Sequence, residues 1–253
     1  MVRTEKSAKT RLDSLLVARG LAPNRTRARA LVLAGIVYSG EARLDKPGQQ
    51  VDSETPLSVR GADHDWVSRG GVKLAHGLEH FAIDVAGRVC LDIGASTGGF
   101  VDVLLRAGAM RVYAVDVGRG QLAWELRNDD RVVVLERTNA RYLSEVEVPE
   151  PPAVITCDAS FIGLQTVLPA SLALAAVDCT LIALIKPQFE VGRGAIGKGG
   201  VVRDAALHDE VCARIRTWLA ESMGWQVAGV SESPITGPKG NVEFLICARK
   251  GSG

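Results

Sequence analysis

The sequence predicts an α/β fold: a doubly wound, mostly parallel sheet preceded by a small α+β module. From residue 72 onward, apolar strand-like runs alternate with helical patterns, which is typical of a parallel sheet covered by helices on both faces. The link PITGPKG (234–240) between the last two runs is too short for a parallel crossover, so the closing strand is expected to be antiparallel. The first 60 residues differ, with two short helical patterns followed by short strands.

The amino-terminal module begins with helical patterns at 11–20 and 24–35. Asn24 is placed to cap the second helix, and Gly20 and Gly35 are placed to end the two helices. The strand-like runs IVYSG and PLSVR follow. We therefore predict a module over residues 1–60, a polar connector GADHDW over 61–66, and a second domain over 67–253.

The body contains a helix that carries Lys73, then seven strand-like runs separated by turns and helical patterns. The runs are RVCLDIG, RVYAVDV, RVVVLE, AVITCD, TLIALIK, WQVAGVSES and VEFLICARK, and the clearest helical patterns cover 98–107, 162–175 and 204–222.

The charge distribution suggests what the module binds. The 253 residues carry a net charge of +1, but residues 1–61 hold 11 Lys and Arg against 6 Asp and Glu. A basic module on a mildly acidic body suggests a polyanion-binding appendage, although an ordinary solvated face has the same composition. Within the module, Arg11, Arg25 and Arg29 are candidates for phosphate contacts on RNA, with Arg11 expected on the first helix.

Several functional classes receive no support. The five cysteines lack CxxC spacing and lie mostly in apolar runs, which indicates free thiols in a reducing compartment. The start has no apolar core typical of a signal peptide, and the longest apolar stretch is broken by Pro169 and Asp178, so a cytoplasmic protein without a membrane span is expected. His76 and His80 are spaced for a metal but lack a third ligand in register, so no metal is expected.

A glycine-rich turn, LDIGASTGGF (91–100), follows the first strand of the body and opens a helix. Such a turn lets backbone N–H groups approach a ligand closely. Asp116 ends the second strand, where a carboxylate can accept both hydroxyls of a ribose. These features fit S-adenosylmethionine or NAD. Asp92 and the antiparallel last strand favour S-adenosylmethionine, and a tight turn without a ligand is the remaining alternative.

Charged residues stand at the same end of three strands. Asp158 ends the fourth strand, Lys186 ends the fifth, and Glu243 begins the antiparallel closing strand, so all three are expected at one edge of the sheet. Lys73, on the helix before the first strand, could cover that edge. This set suits proton transfer in a buried site, whereas a structural salt-bridge cluster is the alternative interpretation.

Several stretches make the chain similar to the TlyA (haemolysin A-like) family over nearly its whole length. They are WVSRGGVKL, GASTGGF, VDVGRGQLAWELRNDDRVVVLERTNAR, CDASFI, IKPQFEVGRG and GNVEF. The amino-terminal RLDSLLVARGLAPNRTRARALVLAGIVYSG resembles the RNA-binding domain of ribosomal-protein-S-four type. The body resembles FtsJ-like ribose methyltransferases, which have a Rossmann-like fold.

The resemblance implies methyl transfer from S-adenosylmethionine to the ribose 2′-hydroxyl of cytidines in ribosomal RNA, of the small subunit, the large subunit or both. It also implies an effect on capreomycin and viomycin susceptibility. The catalytic tetrad implied by the resemblance falls on Lys73, Asp158, Lys186 and Glu243. The implied cofactor site consists of Asp92, Gly94, Ser96, Thr97, Gly98, Asp116, Asn139 and Asp158, with Asn139 near the adenine.

One stretch departs from the family, since the connector RGAD (60–63) stands where some actinobacterial members carry a more aromatic tetrapeptide proposed to couple RNA binding to the cofactor pocket. We expect a cytoplasmic enzyme that acts on ribosomal RNA or ribosomal subunits, without a membrane or metal. The alternatives are a haemolysin-like membrane-acting protein, a non-catalytic RNA-binding ribosome assembly factor and a small-molecule methyltransferase.

Overall fold

The computed structural model describes residues 9–22, 24–33, 35–59, 64–192, 194, 196–197, 199–237 and 239–251. The chain divides into two compact units, with the boundary between Ser68 and Arg69. Positions 60–63 lie outside the described residues, and they include half of the connector predicted at 61–66 and all of the RGAD stretch.

The first unit combines two helices with short antiparallel strands. Its described elements are β1 (Lys9–Arg11), α1 (Leu12–Ala18), α2 (Arg25–Leu33), β2 (Val37–Ser39), β3 (Ala42–Arg43), β4 (Gln50–Asp52) and β5 (Ser58–Val59). Strand β1 pairs with β4, and β2 lies between β3 and β5. The helices pack on the sheet through a small apolar core that consists of Leu12, Leu16, Ala22, Ala28, Leu31, Val32 and Val37.

The helix boundaries of this unit follow the predicted signals with one correction. The Asn24 side chain accepts a hydrogen bond from the Arg27 N–H at 2.8 Å, and the chain leaves the two helices through Gly20 and Gly35 at φ +69° and +70°. The expectation that Arg11 lies on the first helix was wrong. Arg11 is extended and pairs with Gln50, because it ends β1 of the two-stranded β1–β4 sheet, and the helix begins only at Leu12.

The second unit is built on a seven-stranded sheet. Its strands are β6 (Val89–Ile93), β7 (Arg111–Asp116), β8 (Val132–Glu136), β9 (Val154–Cys157), β10 (Thr180–Ile185), β11 (Trp225–Glu232) and β12 (Phe244–Lys250). They lie in the order β11-β12-β10-β9-β6-β7-β8. Strands β6 to β10 are parallel to one another, whereas β12 is antiparallel to both β10 and β11. The predicted fold class, including the antiparallel closing strand, is confirmed.

Helices cover the sheet between the strands. They are α3 (Gly70–His80), α4 (Gly99–Arg106), α5 (Trp124–Arg127), α6 (Leu164–Val167), α7 (Pro169–Ala173), α8 (Pro187–Glu190) and α9 (Ala205–Thr217), with a 3₁₀ turn at Ala140–Tyr142 and a π turn at Trp218–Ser222. The single helix predicted over 162–175 is two short helices, because Pro169 has no N–H to continue the first and instead starts the second. The helix predicted over 204–222 changes to π geometry at Trp218.

The main core lies on one face of this sheet, where Leu91 and Ile93 of β6 join buried residues of α6, α7 and α9. Side chains alternate along a strand, so Asp92 faces the opposite side, which α3 and α4 cover. Helix α3 approaches that face closely: a Cβ on Gly77 would lie 3.4 Å from the Ile182 side chain. All five cysteines are free thiols, as expected. No helix in the described residues is long and apolar enough to cross a membrane.

Candidate active site

The carboxyl edge of the parallel strands brings four charged side chains together. Asp158 directly follows β9, and its N–H bonds to the Ile93 carbonyl of the neighbouring strand at 3.0 Å. Ile185 of β10 pairs with Phe244 of β12, so Lys186 and Glu243, one residue beyond each, meet at the same edge. The geometry follows from the antiparallel course of β12, whose amino end lies beside the carboxyl end of β10.

Two ion pairs link these groups. Lys186 Nζ lies 2.6 Å from Asp158 Oδ1, and Lys73 Nζ, from α3, lies 2.6 Å from Glu243 Oε2. Lys73 Nζ is also 3.9 Å from Asp158 Oδ2, so Asp158 connects the two pairs. Lys73, Lys186 and Glu243 are buried, and the Asp158 side chain keeps about a fifth of its surface exposed. Burial of two ammonium groups is tolerable here because each has a carboxylate partner.

Three oxygen atoms surround Lys186 Nζ, as many as the N–H bonds of an ammonium group. Nζ donates hydrogen bonds to the Asp158 backbone carbonyl at 3.1 Å and to Ser160 Oγ at 2.9 Å, and it forms an ion pair with Asp158 Oδ1. Lys186 lies just ahead of Pro187, which begins α8 and turns the chain away from the sheet. The lysine that ends an otherwise apolar strand is therefore held in a fully polar environment.

The Glu243 carboxylate depends on a glycine for its position. A Cβ on Gly237 would lie 2.5 Å from Glu243 Oε1, which is closer than any real contact, so only glycine leaves room for the carboxylate. The loop at Gly237 therefore leaves room for the Glu243 carboxylate to form its ion pair with Lys73.

The glycine-rich turn lies against the loop that follows Asp158. Gly94 has φ +82°, and a Cβ there would lie 3.0 Å from the backbone of Ala159. Ser96 is exposed, Thr97 is half-buried and its carbonyl accepts the Ala123 N–H, and Gly98 caps the start of α4. The turn predicted to bind the cofactor therefore adjoins the cluster of charged side chains.

Asp92 is fully buried at the end of β6, just before this turn. Its Oδ1 accepts a hydrogen bond from Thr156 Oγ1 at 2.8 Å, and its Oδ2 has no partner in the described part of the protein. The pKa of Asp92 is raised to about 7, mainly by burial and also by the negative charges of Asp158 and Asp116, while the hydrogen bond from the Thr156 hydroxyl acts in the opposite direction. A buried carboxylate oxygen without a partner is an unfilled acceptor for a cationic ligand.

Asp116 and Asn139 lie beyond the next strand. Asp116 Oδ2 accepts the Ser96 N–H at 2.8 Å and Oδ1 accepts the Gly118 N–H at 2.7 Å. These bonds fix the carboxylate and leave each oxygen a second lone pair for a ligand. The Asn139 Oδ1 accepts the N–H of Arg141 and so caps the 3₁₀ turn.

In the first unit, the three candidate arginines have different environments. Arg11 and Arg25 both donate to the buried carboxylate of Asp13. Arg29 is exposed on α2 and forms no ion pair among the described residues.

His76 and His80 stack on each other, and His76 Nε2 lies 3.1 Å from Ser231 Oγ. No group of three or more metal-binding side chains is placed to hold an ion in the described ranges.

Sequence reasoning missed three side chains of this region. Ser160 binds Lys186, Thr156 binds Asp92, and Gln121 Oε1 accepts a hydrogen bond from the Ser96 hydroxyl at 3.1 Å. Ser160 and Thr156 each stand two residues from Asp158 along the chain, so proximity in sequence was the available signal for them. Gln121 offered no comparable signal.

Known proteins and families match both units. The FtsJ-like methyltransferase family matches residues 66–250, and the S4 domain matches residues 10–56. A 16S/23S rRNA (cytidine-2′-O)-methyltransferase TlyA of Mycobacterium tuberculosis is 50% identical over 242 residues, which cover 95% of this chain and 90% of that protein. A 23S rRNA (cytidine-2′-O)-methyltransferase TlyA of Campylobacter jejuni is 38% identical over 209 residues, 79% of each chain.

Among solved structures, a Streptococcus thermophilus protein provisionally described as a hemolysin is 43% identical, with a TM-score of 0.75. The alignment covers 97% of this chain and 90% of that one. The chain therefore belongs to the FtsJ-like methyltransferase family, within its group of TlyA proteins.

Proposed function

We propose that this methyltransferase transfers a methyl group from S-adenosylmethionine to the 2′-hydroxyl of cytidines in ribosomal RNA. The observation that carries the proposal is the paired cluster Lys186–Asp158 and Lys73–Glu243, buried at the sheet edge beside the glycine-rich turn. A 2′-hydroxyl is a poor nucleophile while it keeps its proton, so a site for this reaction needs a group that orients the hydroxyl and takes that proton.

The residues present fit S-adenosylmethionine. The unpartnered Asp92 Oδ2 suits an ammonium group, and the fixed Asp116 carboxylate suits a ribose diol. The resemblance adds Gly94, Ser96, Thr97, Gly98, Asn139 and Asp158 to the proposed cofactor site. When bound, the cofactor supplies a sulfonium methyl group whose leaving sulfide needs no acid.

Lys186 is the proposed proton acceptor. Once the Lys186 ammonium has released one proton to solvent, its neutral amine accepts the proton of the 2′-hydroxyl as the oxygen forms its new bond to carbon, which restores the ammonium. The three acceptors around Nζ then fit the ammonium that results, so charge that develops during the reaction meets groups already in place. Asp158 orients Lys186, and Lys73 and Glu243 complete the network.

An exposed aromatic ring lies beside this cluster. Phe161 follows Ser160, has 90% of its surface exposed, and stands in the left-handed region at φ +67°. RNA-modifying sites commonly hold an unstacked base against an aromatic side chain. We assign Phe161 to contact the target cytosine or a neighbouring base.

Ribosomal RNA is proposed as the substrate on three grounds. The first unit matches an S4 domain, its charge is basic, and the TlyA relatives are named for ribosomal RNA. We further propose that Arg11, Arg25 and Arg29 contact RNA phosphates, that the protein acts in the cytoplasm where ribosomal subunits reside, and that its methylation affects capreomycin and viomycin susceptibility. The relatives differ in whether one or both subunit RNAs appear in their names, so each subunit is tested separately.

The experiment uses small and large ribosomal subunits from a strain that lacks this methylation. Purified protein and radiolabelled S-adenosylmethionine should label RNA, and reverse transcription at low nucleotide concentration should stop next to a cytidine. Lys186→Ala should lower the rate by at least about 100-fold and still bind S-adenosylmethionine in calorimetry. A near wild-type rate for Lys186→Ala would overturn the assignment of the proton acceptor.

Two further results would redirect the proposal. Absence of calorimetric S-adenosylmethionine binding would favour an RNA-binding assembly factor. Leakage of dye from liposomes at the concentrations used for methylation would favour a membrane-acting protein.

A further inference from the structure

A buried carboxylate joins two of the candidate RNA-binding arginines. Asp13, in the first turn of α1, has 0% of its surface exposed. Arg11 grips it with two hydrogen bonds, Nε to Oδ1 at 3.0 Å and Nη2 to Oδ2 at 2.7 Å. Arg25, the first residue of α2, adds a third from Nη2 to Oδ2 at 3.3 Å. One carboxylate therefore ties a strand end and a helix start together.

The Asp13 carboxylate occupies only some of the N–H groups of the two guanidinium groups. The Arg11 and Arg25 side chains keep 46% and 58% of their surface exposed. A guanidinium has five N–H bonds, so the bonds to Asp13 leave three on Arg11 and four on Arg25 that no other described residue uses. The loop at Gly48 leaves room for this arrangement, since a Cβ there would lie 3.2 Å from both terminal nitrogens of Arg11.

We propose that Asp13 is a positioning residue. It holds the Arg11 and Arg25 side chains next to each other, so that both guanidinium groups are already placed to bind one RNA phosphate. Binding by a free arginine loses side-chain entropy, and a side chain already held in place loses less of it. The Arg11 hydrogen bonds hold the pKa of Asp13 far below its usual range, so the carboxylate stays ionised wherever RNA binding is measured. This inference rests on the proposed function, because it assumes that the module binds ribosomal RNA.

The alternative is an ion pair that only stabilises the fold, with RNA attracted by overall charge. The two interpretations predict opposite changes in RNA affinity for the Asp13→Asn variant. Asp13→Asn removes a negative charge from an already basic module, so overall charge predicts tighter RNA binding. Loss of positioning predicts weaker binding to the specific target, because the two arginines become free to move.

The experiment measures binding of the full-length protein and of its Asp13→Asn variant at two salt concentrations. The two RNA ligands are poly(U) and the ribosomal subunit that the protein methylates, taken from a strain that lacks this methylation. We expect about 10-fold weaker binding to the subunit, equal or tighter binding to poly(U), a raised KM for the subunit and an unchanged kcat. Asp45→Asn, at an exposed position of the same module, is the charge-matched control and should bind both RNAs as tightly as wild type or more tightly. Equal or tighter binding of Asp13→Asn to the subunit would overturn the inference.

A second pair of variants separates positioning from folding. In an Arg11→Gln/Arg25→Gln background, Asp13→Asn should cause no further loss of subunit binding, and a further loss of similar size would show that Asp13 acts through the fold and overturn the inference. If circular dichroism shows that Asp13→Asn unfolds the module, the Arg11→Lys variant tests the inference instead. Lysine keeps the positive charge but cannot donate the two parallel hydrogen bonds that Arg11 makes to Asp13. Wild-type binding by Arg11→Lys would overturn the inference. A wild-type protein that neither binds nor methylates subunits would instead overturn the proposed function.

Discussion

Replacement of Asp92 by asparagine should stabilise the protein at alkaline pH and weaken its binding of S-adenosylmethionine. Asp92 is fully buried, one of its oxygens has no partner in the described part of the chain, and burial raises its pKa from 3.8 to about 7. A group whose pKa is raised on folding stabilises the folded state only while protonated. Its contribution is complete below pH 4, falls as the pH rises towards 7, and changes no further above that.

The size of the effect follows from the pKa. A shift of about 3 units corresponds to about 4 kcal/mol lost between pH 4 and pH 7. Asparagine does not titrate, and its Oδ1 can still accept the Thr156 hydrogen bond. Its Nδ2, however, becomes a buried donor without a partner, which costs about 1–3 kcal/mol. The variant should therefore be about 1–3 kcal/mol more stable than wild type at pH 8 and less stable near pH 4, with a change of sign between.

Urea denaturation from pH 4.5 to 8.5 measures this difference. Three of the four tryptophans, Trp124, Trp218 and Trp225, lie in the second unit, so their fluorescence reports mainly on the unit that contains Asp92. Asp209→Asn, an exposed site on α9, is the matched control and should show no such trend. A stability difference between Asp92→Asn and wild type that stays constant over this range would refute the reasoning.

Calorimetry on the same protein tests the functional half. At pH 8 the variant should bind S-adenosylmethionine at least about 10-fold more weakly, because a neutral amide replaces the carboxylate that we propose binds the cofactor's ammonium group. Unchanged binding would remove Asp92 from the cofactor site while leaving the stability result intact.

Other predictions concern the catalytic cluster and its product. Gly237→Ala should lower kcat in the methylation assay at least about 10-fold without changing cofactor binding, because the added Cβ would displace Glu243. Gly192→Ala is the control and should leave kcat unchanged, since its added Cβ meets open space. Ser160→Ala removes one of three acceptors around the catalytic lysine, and we expect a loss of kcat of about 3–10-fold. Phe161→Ala should raise KM for the subunit more than it lowers kcat. Expression in a host without this methylation should lower the inhibitory concentration of capreomycin, and an inactive variant should not; equal concentrations would contradict the antibiotic assignment.

The sequence contained enough information for the large sheet but not for every small strand. Five strands of the large sheet are apolar runs joined through helices or long connections, and the short link before β12 required an antiparallel end. Among the small strands, β2 and β5 lie within the predicted runs IVYSG and PLSVR. By contrast, β3 has two residues, and β1 and β4 have three, which is too short for any hydrophobic period to be visible. Tertiary pairing, not local pattern, forms those strands.

The same division applies to the site. The topology of a doubly wound sheet places Asp158, Lys186 and Glu243 at one edge before any coordinate is known. The contacts of Lys186 with Ser160 could not be predicted, because they depend on how the loop after Asp158 folds back over the strand end. The hold of Asp13 on Arg11 and Arg25 was hidden for a similar reason, since those residues lie on separate elements.

The charged residues of the site form two groups, which differ in whether their charges are balanced. In the charged cluster that we propose is catalytic, Lys73 and Lys186 balance Asp158 and Glu243 without any ligand. On the other side of the glycine-rich turn, Asp92 and Asp116 form no ion pair with a basic side chain in the described residues, and each has acceptor capacity left. Among the described residues of the site, negative charge is therefore in excess where we propose that a cationic cofactor binds. Burial, and to a smaller extent the charges of Asp158 and Asp116, raise the pKa of Asp92 in the free protein, and a bound ammonium group would lower it by favouring the ionised carboxylate. Cofactor binding near neutral pH should consequently release a proton, whereas RNA binding to the first unit should not.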